Sequence, residues 1–337
     1  MDMTGAIEVP SMSESDLDLI DALLVAPRAP WASVARMLGT SAPTARRRWS
    51  RLVESDRAWV TSYVGHPAGI VSGYVEIRCQ PGSVDATASE ISAHPRVLSI
   101  VGVTGDRDLV LSVVAEDMRG FRSVIQHEIG AHPKIVHART ALVSRLFRDG
   151  SSWRTRGSAP AKPFDVERDA PPGRDARERA TLRTVLRVLE RDGRATSSEL
   201  AAALQTSEAQ ARRTVGRLLR TGQIIQSVDV ARSVAHYAHA LLLWLVVPAA
   251  RIEESARLVS ALPFVRLCAA IAGGPSNLYV IVWARSLSEA ADLEAQLMQR
   301  VEGRVADRSI VLHHYKRFGH CFDDDERRVA HVAWSAG

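Results

Sequence analysis

Apolar positions along this chain follow two rhythms, one with a period near 3.6 residues and one with a period of 2. Over residues 16–25 the first rhythm puts Leu19, Ile20 and Leu23 on one face and predicts a helix, which Pro27 and Pro30 stop. Residues 31–38 predict a second short helix with Val34, Ala35 and Leu38 inward, and Gly39 permits a tight turn behind it. Residues 40–52 predict a third. Ala45, Trp49 and Leu52 fall at i, i+4 and i+7, Thr40 or Ser41 can cap the N-terminus, and Pro43 is tolerated in a first turn. Three short helices joined in this way make a helix-turn-helix. Residues 58–64 are β-formers and predict a strand, either a wing or an exit strand.

The second rhythm then takes over. Strands are predicted at 69–79, 97–103, 109–115 and 135–147, helices at 84–94 and 118–129, and a turn at 104–108. This order, β-α-β-β-α-β, is the split unit of ferredoxin-like sandwiches. Residues 151–175 are rich in Pro, Gly, Ser, Arg and Asp and read as a linker. The whole arrangement then recurs, with helices at 182–189, 198–204, 208–219, 252–262 and 288–301 and strands at 241–247, 265–271, 278–284 and 305–315. The expected fold class is α+β: two copies of a winged helix-turn-helix followed by a ferredoxin-like βαββαβ sandwich. The expected divisions are 13–65 and 66–149 for the first copy, 150–176 for the linker, 177–233 and 234–320 for the second copy, and 321–337 for a tail.

Charge sharpens the picture. Residues 206–218 match residues 40–52 at seven of thirteen positions at a constant interval of 166. Both copies keep arginines off the apolar stripe, and arginine contacts phosphates and bridges guanine edges. The candidate DNA-binding residues are therefore Ser41, Thr44, Arg46, Arg47, Arg48 and Arg51 in the first copy. In the second they are Ser207, Gln210, Arg212, Arg213 and Arg217. Arg48 lies near the apolar stripe, where packing or pairing within the domain is its alternative role. The overall balance, 43 basic against 38 acidic residues, adds little, and with only Lys134, Lys162 and Lys316 as lysines a lysine-rich tail is excluded. Cys79, Cys268 and Cys321 form no paired motif, so neither a metal site nor a cofactor is expected, and sparse cysteines suit a reducing, cytoplasmic setting. The N-terminus shows no signal-peptide pattern, and the most apolar run, 238–250, is too short to span a bilayer. His236, His239, His313, His314 and His320 are scattered at strand ends and are expected to be exposed or hydrogen-bonded rather than ligands.

Leu38-Gly39-Thr40-Ser41, the arginine helix and Val103-Thr104-Gly105-Asp106-Arg107-Asp108-Leu109 together resemble the Lrp/AsnC family of bacterial and archaeal regulators. The resemblance implies a transcriptional regulator rather than an enzyme, with double-stranded DNA as partner, no membrane partner, and assembly into homo-oligomers. It also implies an amino-acid effector at the turn between the second and third strands, with Thr104, Gly105, Asp106 and Asp108 as the effector-binding candidates. The second copy departs from the pattern. Its turn, Ala272 to Leu278, reads as one residue longer, with Asn277 where Asp108 stands, and Leu204-Gln205 replaces Leu38-Gly39. These departures imply an effector site charged on its first-copy side and a first arginine helix that dominates specificity. The duplication implies that one chain imitates a dimer, its two sheets packed together. Fused units of this kind also resemble siroheme decarboxylases, an enzyme alternative for which Ser276-Asn277-Leu278-Tyr279 and His236-Tyr237 are the candidate pieces.

Overall fold

Side-chain caps open helices in both halves of the chain. The computed structural model describes residues 12–65, 70–150, 176–231 and 239–334. Helix α1 (Glu14–Val25) begins where the Ser13 hydroxyl accepts from the Asp16 N–H. Helix α2 (Trp31–Met37) follows Pro30, and Ser41 caps α3 (Ala42–Glu54) by accepting from the Thr44 N–H. Leu19, Ile20, Leu23, Val34, Ala35, Ala45, Trp49 and Leu52 make one buried core. Strand β1 (Ala58–Val64) then leaves the helices.

The chain next forms β2 (Val71–Cys79), α4 (Val84–Ser92), β3 (Val97–Val103) and β4 (Leu109–Ala115). Helix α5 (Met118–Ser123) runs into a π-helical turn, Val124–Ile129, and β5 (Ile135–Arg148) closes the unit. The second half repeats the plan with α6 (Ala176–Arg191), α7 (Ser197–Leu204), α8 (Glu208–Arg220) and β6 (Ile224–Val230). A capping box between Thr196 and Glu199 starts α7. Then come β7 (His239–Val246), α9 (Ile252–Ser260), β8 (Val265–Ala272), β9 (Leu278–Ala284), α10 (Leu287–Met298) and β10 (Arg304–Arg317). Among the described residues no helix is long and apolar enough to cross a membrane.

The strand order β5-β2-β4-β3 in the first unit reappears as β10-β7-β9-β8 in the second. The expectation that the two sheets pack together left open how they meet. The two sheets join edge to edge, because β5 pairs with β8 and β10 pairs with β3. Each closing strand is 14 residues long. The first part of β5 pairs with β2 and its last part with β8, while β10 pairs first with β7 and then with β3. Of the ten strands in this sheet, β11 (His320–Phe322) and β12 (Arg328–His331) lie outside the closure, which leaves a ring of eight. A closed ring has no exposed edge between its halves.

Period-2 alternation sorts the side chains of the ring. Val75 and Ile77 of β2 face the core shared with Ala88, Ile91 and Phe121 of the covering helices. Tyr74 faces the other way, into a cluster with Val110, Ala141, Leu242, Trp244, Ala269, Ile271 and Tyr279 drawn from both units. At eight strands a barrel is just wide enough for side chains to fill, and Tyr279 lies 4.3 Å from Tyr74 and 5.0 Å from Trp244 between ring centroids.

Strand β1 is not a wing folded within its own unit. It pairs antiparallel with β6 of the other copy. The pairing exchanges core residues: Val228 and Ala231 enter the first helical core, and Val64 enters the second, beside Val185, Leu186, Val215 and Leu218. The segment expected to be a tail is also structured. β11 and β12 form a hairpin on β10. Phe322 of this hairpin joins the first helical core, and Trp334 beyond it joins the second.

Candidate nucleic-acid interface

The third helix of each helical unit presents arginine to solvent. In α3, Ala45, Trp49 and Leu52 are buried while Arg46, Arg47 and Arg51 are exposed and Arg48 is half-buried. In α8, Ala211, Val215 and Leu218 are buried and Arg212 and Arg213 are exposed. Among the described residues no carboxylate pairs with Arg46, Arg47, Arg48, Arg51 or Arg212. Arg213 instead donates to the Gln210 Oε1 at 2.7 Å, which orients that amide. Arg217 turns inward to Glu178 of α6 at 3.9 Å, so a carboxylate competes for it. Ser41 and Ser207 spend their oxygens on the Thr44 and Gln210 N–H groups as caps, and the Ser41 and Thr44 hydroxyls lie 2.8 Å apart. A surface cleft of about 540 Å³ runs along α3 between Trp31 and Pro43, Arg46, Arg47 and Ser50.

The link before each arginine helix has the same backbone in both copies. Gly39 has φ 61° and Gln205 has φ 51°, both left-handed. The substitution of Gln205 for glycine therefore leaves the turn in place, at a cost of roughly 1–2 kcal/mol for a side chain in that region.

Two arginines in loops hold the helical units together. Arg28 donates to the carbonyl of Gly193 at 2.8 Å and to that of Ala195 at 2.5 Å. Arg194 donates to the carbonyls of Pro27 and, at 2.7 Å, Ala29. The Arg194 guanidinium also lies 4.1 Å above the Trp31 ring. Burial lowers both pKa values, and the neighbouring Arg28 charge helps bring Arg194 down to about 10, against the opposing pull of Asp192. Gly193 is needed here, since a Cβ would lie 2.3 Å from the Val60 side chain. Neither arginine belongs to a helical or strand period. Their one signal in the sequence is the Arg-Ala pair recurring at the interval of 166, as Arg28-Ala29 and Arg194-Ala195.

A buried polar layer joins the β1–β6 ribbon to the ring. Tyr63 donates to the Asp149 carboxylate at 3.1 Å, and Thr61 donates to Asp229 at 3.0 Å. Arg266 of β8 and Arg317 of β10 lie 3.7 and 3.6 Å from the same Asp229. Burial pushes the Tyr63 hydroxyl well up and pulls the Arg266 guanidinium down.

The turn at 104–108 sits on β10. The Thr104 N–H donates to the Ile310 carbonyl at 3.0 Å, and the Ile310 N–H returns to the Thr104 hydroxyl at 2.9 Å. Gly105 has φ 102°. Asp106 is exposed, and its carbonyl accepts from Arg78 at 3.1 Å. The Asp108 carboxylate is occupied, accepting from the Cys79 N–H at 2.7 Å. The second turn corrects one expectation: 273–277 and 104–108 are equally long, with Gly274 at φ 90° matching Gly105. Asn277 repeats the work of Asp108, accepting from the Val247 N–H at 3.0 Å and donating to its carbonyl at 2.7 Å. The pattern does not single out Arg107, which is buried, ion-pairs with Glu76 at 3.0 Å and with Asp307, and lies 3.9 Å from the Trp244 ring centroid.

Of the residues for the enzyme alternative, Tyr279 is buried against Trp244 and Tyr74, and Asn277 is bonded to Val247. His236 and Tyr237 lie outside the described residues. His313 stacks edge-on to Tyr315, while His320 lies beside His331 and Trp59.

Comparison with known proteins bears on all of this. The family model of the AsnC-type helix-turn-helix domain matches residues 12–53, that of the Lrp/AsnC ligand binding domain residues 72–153, and that of a winged helix-turn-helix DNA-binding domain residues 178–225. No curated protein sequence matches the chain. Among solved structures, the siroheme decarboxylase NirDL is similar over 95% of this chain and 94% of that one, with 15% identity and a TM-score of 0.55. The same enzyme in complex with an iron-uroporphyrin III analogue gives 16% identity and a TM-score of 0.55 over the same shares. AsnC from E. coli is matched over 40% of this chain and 94% of that one, with 15% identity and a TM-score of 0.34. At such identities the NirDL likeness speaks for the fold alone.

Proposed function

We propose, on the premise that this chain belongs to the Lrp/AsnC family, that it is a sequence-specific DNA-binding transcriptional regulator reading the duplex with α3 and α8. The observation that carries this reading is the exposed set Arg46, Arg47, Arg51 and Arg212, for which no described carboxylate competes. Arginines left in this state on a capped helix are ready to neutralise phosphates and to reach base edges. Ser41, Thr44, Arg48, Ser207, Gln210 and Arg213 complete the surface. Arg217 contributes less, because Glu178 competes for it.

The ring supplies the sensing half of the proposal, with an amino acid or similar metabolite as effector at the first-copy turn. Asp106 is the carboxylate still open to an ammonium group, and the Gly105 backbone permits close approach of a carboxylate. Asp108 supports the turn from behind. The polar layer around Asp229 is the physical connection from ring to ribbon.

Retention of duplex DNA on electrophoresis over a salt series tests the first part. Log affinity is expected to fall with log salt by roughly 0.9 per phosphate neutralised, and Arg47→Ala to weaken binding and flatten that slope by about one contact. An unchanged slope in both Arg47→Ala and Arg213→Ala would remove the arginine helices from the interface.

A second reading is siroheme decarboxylase-like chemistry, on the fold that this chain shares with NirDL over 95% of its length. The two readings part on the purified protein. A red-brown preparation with a Soret band favours the enzyme; a colourless protein that retards DNA favours the regulator.

A further inference from the structure

The helical units are related by a local two-fold, and this follows from the pairing alone. In the β1–β6 ribbon Thr61 stands opposite Ser227, 166 positions later. Ala58 faces Val230 and Val64 faces Ile224, so moving each residue to its counterpart in the other copy turns one pair into the other. The loop contacts obey the same operation: Arg28 reaches Gly193 and Ala195, and Arg194 reaches Pro27 and Ala29. Two helix-turn-helix units related by a two-fold present their third helices equivalently, which calls for two half-sites in inverted orientation.

The faces so presented are not equivalent in chemistry. The caps Ser41 and Ser207 and the arginine pairs Arg46-Arg47 and Arg212-Arg213 are shared. Around them Ala42 is replaced by Glu208, Thr44 by Gln210 and Arg48 by Thr214. Shared arginines suit the phosphate backbone, which is the same in every sequence, whereas the diverged positions near the helix start suit base edges. Gln210 is exposed, and its Oε1 accepts from two nitrogens of Arg213, at 2.7 and 3.3 Å; when Arg213 swings to a phosphate, the amide is released with the donor and acceptor that adenine takes bidentately. Glu208, exposed in the first turn of α8, carries an acceptor suited to the amino group of cytosine.

We infer that the DNA target of this chain is an inverted pair of unlike half-sites at one fixed spacing. Gln210 and Glu208 specify one half and Thr44 the other, and the Arg28–Arg194 contact sets the spacing. This rests on the regulator reading and adds the form of the operator to it. Arg28 and Arg194 are positioning residues: each holds two carbonyls of the opposite unit, and together with the β1–β6 ribbon they set the separation of α3 and α8.

In vitro selection of randomised duplexes by the full chain tests it. The expected result is two different half-sites in inverted orientation, their centres about 10–10.5 base pairs or a multiple apart. Gln210→Ala, a solvent-exposed change, is expected to cost roughly tenfold or more of discrimination in one half and nothing in the other. The double variant Arg28→Ala/Arg194→Ala is expected to keep both half-sites and to broaden the accepted spacing, with cooperative unfolding checked on the same preparation. Arg28→Ala alone, which leaves the two bonds of Arg194, is expected to fall between. Identical half-sites, or an effect of Gln210→Ala on both halves, would overturn the asymmetry while leaving the regulator reading intact. Unbroadened spacing in the folded double variant would overturn the positioning role of Arg28 and Arg194. Failure to enrich any sequence would overturn the regulator reading, and this inference with it.

Discussion

Asp108 and Asn277 carry different charges and make the same bond, each to the N–H of a residue at or just past the end of its unit's first strand. Asp108→Asn is therefore expected to be nearly neutral for stability, and Asp108→Ala to cost about 1–3 kcal/mol as the Cys79 N–H loses a charged acceptor; urea unfolding of both variants checks this. A large loss for the asparagine variant would mean that the charge matters. The partner of Asp108 lies 29 residues upstream, so its role is invisible in a local pattern that reads only Gly-Asp turn chemistry. Lys316 poses a similar problem. It is fully buried, donating to the carbonyls of Ser92 at 2.8 Å and His94 at 3.0 Å, and burial pulls its pKa down to about 8 despite Cys321 and Glu190 nearby. Above that pH the folded protein releases a proton that the unfolded chain keeps until about pH 10.5, so this group makes stability rise with pH across that window. Below pH 8 its full penalty stands. The gain by pH 9.5 is about 2 kcal/mol, and it should be absent from Lys316→Met, measured as the difference between the two proteins in urea at pH 7 and 9.5. Parallel curves would show that Lys316 keeps its proton.

The C-terminal hairpin is the element with the weakest sequence signal. Its strands are three and four residues long, too short to show a period, and the acidic run Asp323-Asp324-Asp325 lies between them. Phe322 and Trp334 look like isolated aromatic residues until the fold supplies a core for each. The helical units were far more legible, because Ala45, Trp49 and Leu52, and then Ala211, Val215 and Leu218, keep one stripe over several turns. The hairpin is held by Arg328, ion-paired to Asp56 and lying over Trp59, and by His320. Burial, helped by the charges of Arg328 and Arg317 and by neighbouring His331, drives the His320 pKa down to about 2, so the ring stays neutral when folded. The unfolded chain takes up a proton below about pH 6.5 that the folded one refuses, and stability falls as pH falls through this range. By pH 5 the loss is about 2 kcal/mol. Hydrogen exchange of the β11 and β12 amides at pH 7 and 5 should show this acid loosening in the natural sequence and little of it in His320→Phe. Equal acid sensitivity in both would place its origin elsewhere.

At the scale of the molecule, duplication and unit order were legible, but the ring was not. Period-2 alternation tells which face of β5 or β10 is buried and says nothing about which strand lies alongside, so a strand shared between two sheets reads like a long strand of one. Closure makes each half the missing edge of the other, since β3 and β5 pair outward only with β10 and β8. Residues 12–150 made alone are therefore expected to associate into a two-fold dimer, with β5 of one copy on β3 of the next. Sedimentation reads this directly, and a stable monomer of that half would show that closure contributes little. Joining the two halves in one chain also changes the dosage law. A reader assembled from free subunits loses its paired form faster than in proportion as subunits become scarce. Here the partner unit is always at hand at the effective concentration that covalent connection provides. On the proposed regulator reading, halving the amount of this protein is therefore expected to halve the number of paired readers, and promoter occupancy at low copy number to track expression linearly.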